Sequence, residues 1–219
     1  NNFDVKSFKD KIGLKQNVFL FFGFIRKYKG LHNVIPAFKK LSNERKDVSL
    51  LICGEEFWKT VNKNKLSVKI KSFLFGLAKK IFLRTKNDEH DYNPLKLIKD
   101  LNVNDCHVFS EFIPNEDVHK FFQVSDSILL FYSYATPSGV ESLSYNFRLP
   151  ALATKVGHFP ETINDGIDGY LAEADSIDSM YEIMKKSIDY PIDKKNIDIK
   201  ADQLSWTNYA KAILKPYVD

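Results

Sequence analysis

Short apolar runs alternate along the chain with longer segments in which apolar residues recur at helical spacing. The runs have the length and composition of buried strands and cover Val18–Phe24, Val48–Cys53, Cys106–Ser110, Ile128–Tyr132, Ala151–Thr154 and Tyr170–Ala172. The helical segments between them are Leu31–Leu41, Pro114–Phe122, Gly139–Phe147 and Ile177–Ile188. This alternating order predicts an α/β fold with a doubly wound parallel sheet, whose ligands bind at the carboxyl ends of the strands.

Length and composition favour a single domain over residues 1–219. The chain is 44% hydrophobic with only 9 Gly and 8 Pro, which is enough apolar material for a sizeable core and is not typical of disorder. Near the end, apolar residues recur at helical spacing and predict a closing helix that includes Trp206, Tyr209, Ala210, Ile213 and Leu214.

Residues 58–92 interrupt the alternation, because they separate the second and third strands by far more chain than a crossover needs. Within this insertion, residues 66–84 carry five Lys and Arg side chains and no acid beside a large apolar surface. Two interpretations remain open. The segment could be a basic amphipathic helix that binds a membrane surface, or an insertion helix whose apolar face packs on the domain.

Net charge, cysteine spacing and hydropathy bear on the partners, the redox compartment and the location of the protein. A net charge of +4 is too small an excess to indicate a nucleic-acid partner. Cys53 and Cys106 lie in apolar runs without CxxC spacing, which favours free thiols of a reducing compartment. The apolar runs fall far short of the ~20 residues that span a bilayer, and the polar N-terminus lacks signal-peptide features. We therefore expect a cytoplasmic protein, with residues 66–84 as the segment that could hold it at the inner membrane face.

The first strand is followed by the turn GFIRKYKGL and then directly by a helix, which is a candidate anion site. Free N–H groups at a helix N-terminus attract anions, Gly23 and Gly30 permit tight backbone, and Arg26 and Lys29 add charge. A charge-assisted hydrogen bond contributes about 1.5–3 kcal/mol against about 0.3–1 for the helix dipole, so the side chains should dominate. Solvated loop positions for Arg26 and Lys29 remain the alternative. Neither the GxGxxG fingerprint nor the GxxxxGK[ST] loop is present, which argues against an NAD-type oxidoreductase.

Two further turns follow later strands. The segment ATPSGV opens a helix, where Pro137, Ser138 and Gly139 suit a helix start close to a ligand and Ser138 suits a cap or phosphate donor. The segment from Leu149 to Leu171 contains a short strand, a turn and the tight turns around its DG pairs. In parallel sheets, such turns can converge on one diphosphate.

In this order the three segments resemble the donor domain of the glycosyltransferase family-four group, which has the GT-B fold with Rossmann-like halves. The resemblance runs from about Val18 to Leu171, and the ATPSGV turn is similar to a subgroup with a Ser-Gly-Val turn. It implies that Arg26 and Lys29 are catalytic, binding the donor diphosphate and stabilising the leaving group. Donor binding is further implied for Gly23, Gly30, Ser138, Gly139, Val140, Gly157 and Glu161. No metal or other cofactor is implied beyond the nucleotide-sugar donor.

The chain departs from the family pattern at four positions. Many members carry two glutamates eight positions apart, where this chain has Ala135 and Leu143. The nearest acid, Glu141, should point to a different helix face from Leu143. His158 replaces a family glycine, and Phe24 stands where an arginine is common, which leaves Arg26 as the main cationic candidate.

Two functions follow from the resemblance. The first is the donor-binding half of a retaining, hexosyltransferase-type enzyme of polysaccharide biosynthesis, which passes a sugar from a nucleotide diphosphate to a glycan or lipid-linked acceptor. Its acceptor site would come from an N-terminal domain or subunit, so the isolated chain should turn over poorly. The second is a non-catalytic donor-like subunit that pairs with an acceptor-binding polypeptide or docks on a membrane. The absent glutamates favour the second function, and the presence of Arg26 and Lys29 favours the first.

Overall fold

The architecture is a six-stranded parallel sheet flanked by helices, seen in a computed structural model that describes residues 3–56, 92–135 and 138–214. The strands are β1 (Asn17–Phe22), β2 (Val48–Cys53), β3 (Cys106–Phe109), β4 (Ser127–Leu130), β5 (Ala151–Thr154) and β6 (Gly169–Ala172). Their spatial order is β3-β2-β1-β4-β5-β6, and every pairing is parallel. The order reverses between β1 and β4, which places a crevice at their carboxyl ends. The predicted doubly wound, Rossmann-like sheet is confirmed.

Helices connect and cover the strands. In the described residues they are α1 (Val5–Ile12), α2 (Leu31–Glu44), α3 (Lys96–Asp100), α4 (Asn115–Gln123), α5 (Gly139–Asn146), α6 (Phe159–Thr162), α7 (Ile177–Asp189), α8 (Lys194–Gln203) and α9 (Trp206–Leu214). A single 3₁₀ turn, Lys27–Lys29, precedes α2. The closing helix predicted around residues 206–214 is therefore present as α9.

Every strand and helix predicted outside residues 58–92 is present, with ends shifted by up to three residues. The first strand ends at Phe22 rather than Phe24, because Gly23 takes a φ of 96° that extended backbone does not allow. Four helices are not among the predicted elements, namely α1, α3, α6 and α8. Helices α3 and α6 are too short to show a period and α8 is largely polar, whereas Val5, Phe8 and Ile12 of α1 do lie at helical spacing, a signal that sequence reasoning missed. Capping specifies α1, since the Asp4 carboxylate accepts from the Ser7 N–H and Gly13 ends the helix at a φ of 74°.

The core divides into two apolar layers, one on each face of the sheet. Alternate residues of β1 show the division: Phe19 and Phe21 pack with α2 and α7, whereas Val18 and Leu20 pack with α4 and α5. Strands covered on both faces are apolar throughout, which explains why the sequence shows continuous runs rather than alternation. The predicted insertion, residues 58–92, lies outside the described residues except for Tyr92.

Replacing Phe38 by Ala should lower the free energy of unfolding by about 3–5 kcal/mol, because its fully buried ring lies between α2 and the sheet. Urea denaturation measures the loss. Ile199→Ala is the matched control, since that side chain is 57% exposed on α8 and should change stability by less than about 0.5 kcal/mol. Equal losses in the two variants would contradict the assigned core.

Candidate functional site

The turn between β1 and α2 lies where the strand order reverses. Gly30 begins α2 with a φ of 71°, and a Cβ at that position would come within 1.9 Å of the Phe131 carbonyl oxygen at the end of β4. Only glycine therefore lets the N-terminus of α2 approach β4 this closely. The Ser133 N–H also donates to the Tyr28 carbonyl at 2.7 Å, which joins the turn to the chain that follows β4.

Lys29 is a residue of this turn whose side chain is buried, and only 7% of the residue's surface is exposed. Its Nζ donates to the Phe22 carbonyl at 3.4 Å and lies 5.8 Å from the centre of the Tyr132 ring. A Cβ on Gly23 would lie 2.7 Å from this Nζ, so the missing side chain makes room for the ammonium group. The resulting site holds a cation close to the carboxyl end of β1.

The electrostatics of the turn favour an anionic ligand. Burial, with repulsion from Arg26, lowers the pKa of Lys29 to about 8. Among the described residues, no carboxylate forms an ion pair with Lys29. Arg26 is half-buried, and its guanidinium carbon lies 5.8 Å from the centre of the Tyr28 ring. Two neighbouring cations that repel each other would both be stabilised by an anion bound between them.

A second helix N-terminus reaches the same place. Ser138 occupies the N-cap position of α5 without a side-chain capping bond, and its side chain lies near the Tyr132 phenol. A Cβ on Gly139 would have no neighbour within 4 Å, so this position is open. The Val140 Cγ2 atom is 4.0 Å from the position that a Cβ of Gly23 would occupy. The predicted turns at residues 23–30 and 138–140 therefore converge.

Gly157 and Glu161 belong to the turn and short helix after β5. Gly157 has a φ of 55°, and a Cβ there would lie 2.1 Å from the Ala135 carbonyl oxygen. The close approach that this glycine allows is thus to the backbone that follows β4. Glu161 lies in the first turn of α6 with an exposed side chain. Its assignment to donor binding stays a prediction.

A buried acid–base pair is a feature that sequence reasoning missed. Glu141 is 5% exposed, and its Oε2 lies 2.6 Å from the His158 Nε2. In the sequence, Glu141 stands out only as the acid nearest to Leu143, and His158 only as a replacement for a family glycine. Seventeen positions and a strand separate them, so no local spacing indicates that they meet. As expected, Glu141 faces away from Leu143, which lines a cavity.

That cavity of about 440 Å³ is the second missed feature, and it opens beside Gly23 at the carboxyl ends of β1, β2 and β3. Its wall is mainly apolar and includes Phe22, Cys53 and Leu143, and polar side chains come from Glu55, Glu111, Asn115 and His119. Phe24 and Phe112 also line it and are 47% and 65% exposed. Four separate segments supply these walls, so the sequence gives no signal for the cavity.

The remaining predictions concern the cysteines, metal sites and contact with a membrane. Cys53 and Cys106 are both free thiols, and burial raises the pKa of each. The described part of the chain contains no cluster of three or more His, Cys, Asp or Glu side chains that could hold a metal ion. None of its helices is both long and apolar enough to cross a membrane. Residues 66–84, the predicted membrane-surface segment, are outside the described ranges.

Comparison with known proteins identifies the family to which this chain belongs. Residues 2–204 match the family model of glycosyl transferases group 1, and the chain therefore belongs to the group 1 glycosyltransferase family. No curated protein sequence matches it.

Solved structures share the fold at low sequence identity. The C-terminal domain of the group 1 glycosyltransferase LpcC from Francisella tularensis has a TM-score of 0.66 at 17% identity, covering 95% of this chain and 94% of that one. HepE from Anabaena, solved in complex with UDP, has a TM-score of 0.72 at 15% identity, covering 99% of this chain and 53% of that one. Sucrose-phosphate synthase from Thermosynechococcus elongatus has a TM-score of 0.68 at 14% identity, covering 98% and 48% respectively. This chain thus spans about half the length of the two larger relatives.

The low pKa of Lys29 predicts a pH-dependent stability. Between about pH 8 and the ordinary lysine value of 10.5, the unfolded chain holds a proton that the folded chain has lost. The free energy of unfolding should therefore rise with pH in this window for wild type relative to Lys29→Met, by up to about 1.4 kcal/mol per pH unit. Denaturation of both proteins at several pH values measures it. Lys27→Met, at an exposed position in the same turn, should keep the wild-type pH dependence, and a wild-type curve parallel to that of Lys29→Met would contradict the assignment.

Proposed function

We propose that this chain is the donor-binding domain of a retaining glycosyltransferase of the family-four group, in the subgroup with a Ser-Gly-Val turn. The observation that carries the proposal is the meeting of Arg26, the buried Lys29 and the N-termini of α2 and α5 at the point of strand reversal. Such a place suits a diphosphate, because two positively charged side chains lie beside the start of α5, where the N–H groups of Gly139 and Val140 have no carbonyl of the helix to bind.

In the proposed reaction, the bond between the anomeric carbon of the sugar and the distal phosphate of a nucleotide-diphosphate sugar breaks. A bond from that carbon to an acceptor hydroxyl oxygen forms, and the hydroxyl proton passes to the departing diphosphate or to solvent. Negative charge grows on the departing diphosphate as the breaking bond lengthens. Arg26 and Lys29 stabilise that charge, and the N–H groups at residues 138–140 hold the distal phosphate or the sugar. The two side chains supply the positive charge, so the proposal requires no metal. Donor binding should accordingly persist in EDTA.

The cavity beside Gly23 is the proposed nucleoside site. Its volume of about 440 Å³ lies in the range of small-molecule pockets, and its wall combines apolar surface with a few polar side chains. HepE, which shares the fold, was solved with UDP and with UDP-glucose. A uridine nucleotide is therefore the first donor to test, followed by guanosine and cytidine nucleotides.

The acceptor belongs to another part of the proposed enzyme. Because the chain spans about half of the larger relatives, an N-terminal domain or separate subunit is proposed to bind a glycan or lipid-linked acceptor. The proposed enzyme transfers hexose in the cytoplasm, with residues 66–84 as a contact with the membrane surface. Without its acceptor half, the chain should bind donor and turn over poorly.

A non-catalytic donor-like subunit is the second candidate. The observation that favours it is the absence of carboxylates at Ala135 and Leu143, the second of which lines the proposed nucleoside cavity with an apolar side chain. Donor binding that is undetectable in the presence of the acceptor half would support this candidate over the enzyme.

Arg26→Ala should weaken nucleotide-diphosphate binding by about 10- to 150-fold, since each charge-assisted hydrogen bond to phosphate contributes about 1.5–3 kcal/mol. Isothermal titration calorimetry with UDP, GDP and CMP measures the effect. Lys27→Ala is the matched control, because Lys27 lies in the same turn with an exposed side chain and should bind as wild type does.

The outcomes of this titration separate the hypotheses. Binding of one diphosphate that is lost in Arg26→Ala and kept in Lys27→Ala supports the donor site and identifies the base. Equal losses in both variants would show a diffuse effect of positive charge instead. A folded wild-type chain, joined to its acceptor half, that binds none of the nucleotides would contradict the proposed function.

A further inference from the structure

The Glu141–His158 pair joins two segments of the candidate site that are distant in sequence. Glu141 lies in the first turn of α5, directly after the N–H groups at residues 138–140. His158 is the N-cap residue of α6 and follows Gly157, whose backbone packs on the Ala135 carbonyl. The contact of 2.6 Å between the two side chains therefore ties the start of α5 to the turn after β5.

The pair is also connected to Lys29. The His158 ring packs on Phe159 with a centroid separation of 4.5 Å, and Phe159 packs on Tyr132 at 5.5 Å. Tyr132 in turn lies near Ser138, and its ring centre is 5.8 Å from the Lys29 ammonium group. A shift of either member of the pair would reach both the start of α5 and the buried cation.

Stability alone does not account for this arrangement. The side chains of Glu141 and His158 are only 6% and 15% exposed, and pairs this buried contribute little net stability because both groups lose their hydration. The His158 Nδ1 atom is buried as well and has no hydrogen-bond partner among the described residues, which costs about 1–3 kcal/mol. Apolar side chains of similar size would avoid both penalties.

We propose that Glu141 and His158 are a positioning pair for the part of the donor beyond its first phosphate. By holding α5 against the turn after β5, the pair fixes the N–H groups at residues 138–140 where the distal phosphate and the sugar bind. Neither member of the pair lines the nucleoside cavity. This inference rests on the proposed donor site.

The test compares ligands that differ only beyond the first phosphate. UMP, UDP and UDP-glucose are titrated into the chain by calorimetry, with GMP, GDP and GDP-mannose in parallel. In Glu141→Leu and His158→Leu, affinity for the diphosphate and the sugar nucleotide should fall by about tenfold or more, whereas affinity for the monophosphate should stay within about twofold. This selective loss is the readout that general destabilisation would not produce.

Conservative variants keep the proposal testable if the leucine variants fold poorly. Glu141→Gln retains an oxygen that accepts from the imidazole N–H, and His158→Gln retains an N–H that donates to the carboxylate, so both should bind every ligand within about threefold of wild type. Ser142→Ala is the matched control on an exposed position of the same helix turn and should change nothing.

Three results would overturn the proposal. Unchanged affinities in the leucine variants would show that the pair does not position the donor. Equal losses for monophosphate and diphosphate would assign it a general structural role, as would equal losses in the glutamine and leucine variants. If wild type binds neither the uridine nor the guanosine series, the proposed donor site is contradicted. If wild type binds and both leucine variants bind equally well, only the positioning role of the pair is contradicted.

Discussion

The rest of the candidate site depends on the burial of the Lys29 ammonium group. This group lies near the carboxyl ends of β1 and β4, where the order of the strands in the sheet reverses. The ammonium group fits only because Gly23 has no side chain, and the turn closes only because Gly30 lets α2 approach the carbonyl at the end of β4. Burial without a carboxylate partner among the described residues lowers the pKa of Lys29 to about 8. A buried ammonium group of this kind favours an anionic ligand, such as one that carries phosphate.

The remaining parts of the candidate site are distributed along the carboxyl edge of the sheet. On one side, the apolar cavity at the ends of β1, β2 and β3 has the size for a nucleoside. On the other side, the turn after β5 contacts the start of α5, whose Val140 side chain lies next to Gly23. A nucleotide-diphosphate sugar, with its nucleoside at one end, two phosphates in the middle and a sugar at the other end, is the ligand proposed for this arrangement.

The departures from the family pattern fall on both sides of the candidate site, since Phe24 and Leu143 line the proposed nucleoside cavity and His158 lies in the turn after β5. Leu143 makes the cavity wall apolar where other members carry an acid, and the only buried carboxylate on α5 is Glu141, paired with His158. Because this carboxylate is buried and already bonded to His158, a positioning role suits it better than a contact role.

The sequence by itself determined the sheet, its helices and the three turns that bear chemistry. Apolar strands buried on both faces leave continuous runs, and Gly23, Gly30, Arg26 and Lys29 lie within one turn whose local chemistry can be recognised. It did not yield α3, α6 and α8, because the first two are only five and four residues long and the third is largely polar, and the helical spacing of the apolar residues in α1 was missed. Only the tertiary structure decided that Lys29 is buried, that Glu141 meets His158, and that four segments enclose a cavity. The physical reason is that burial and pairing across strands depend on which elements become neighbours in the sheet, and spacing along the chain carries no information about that.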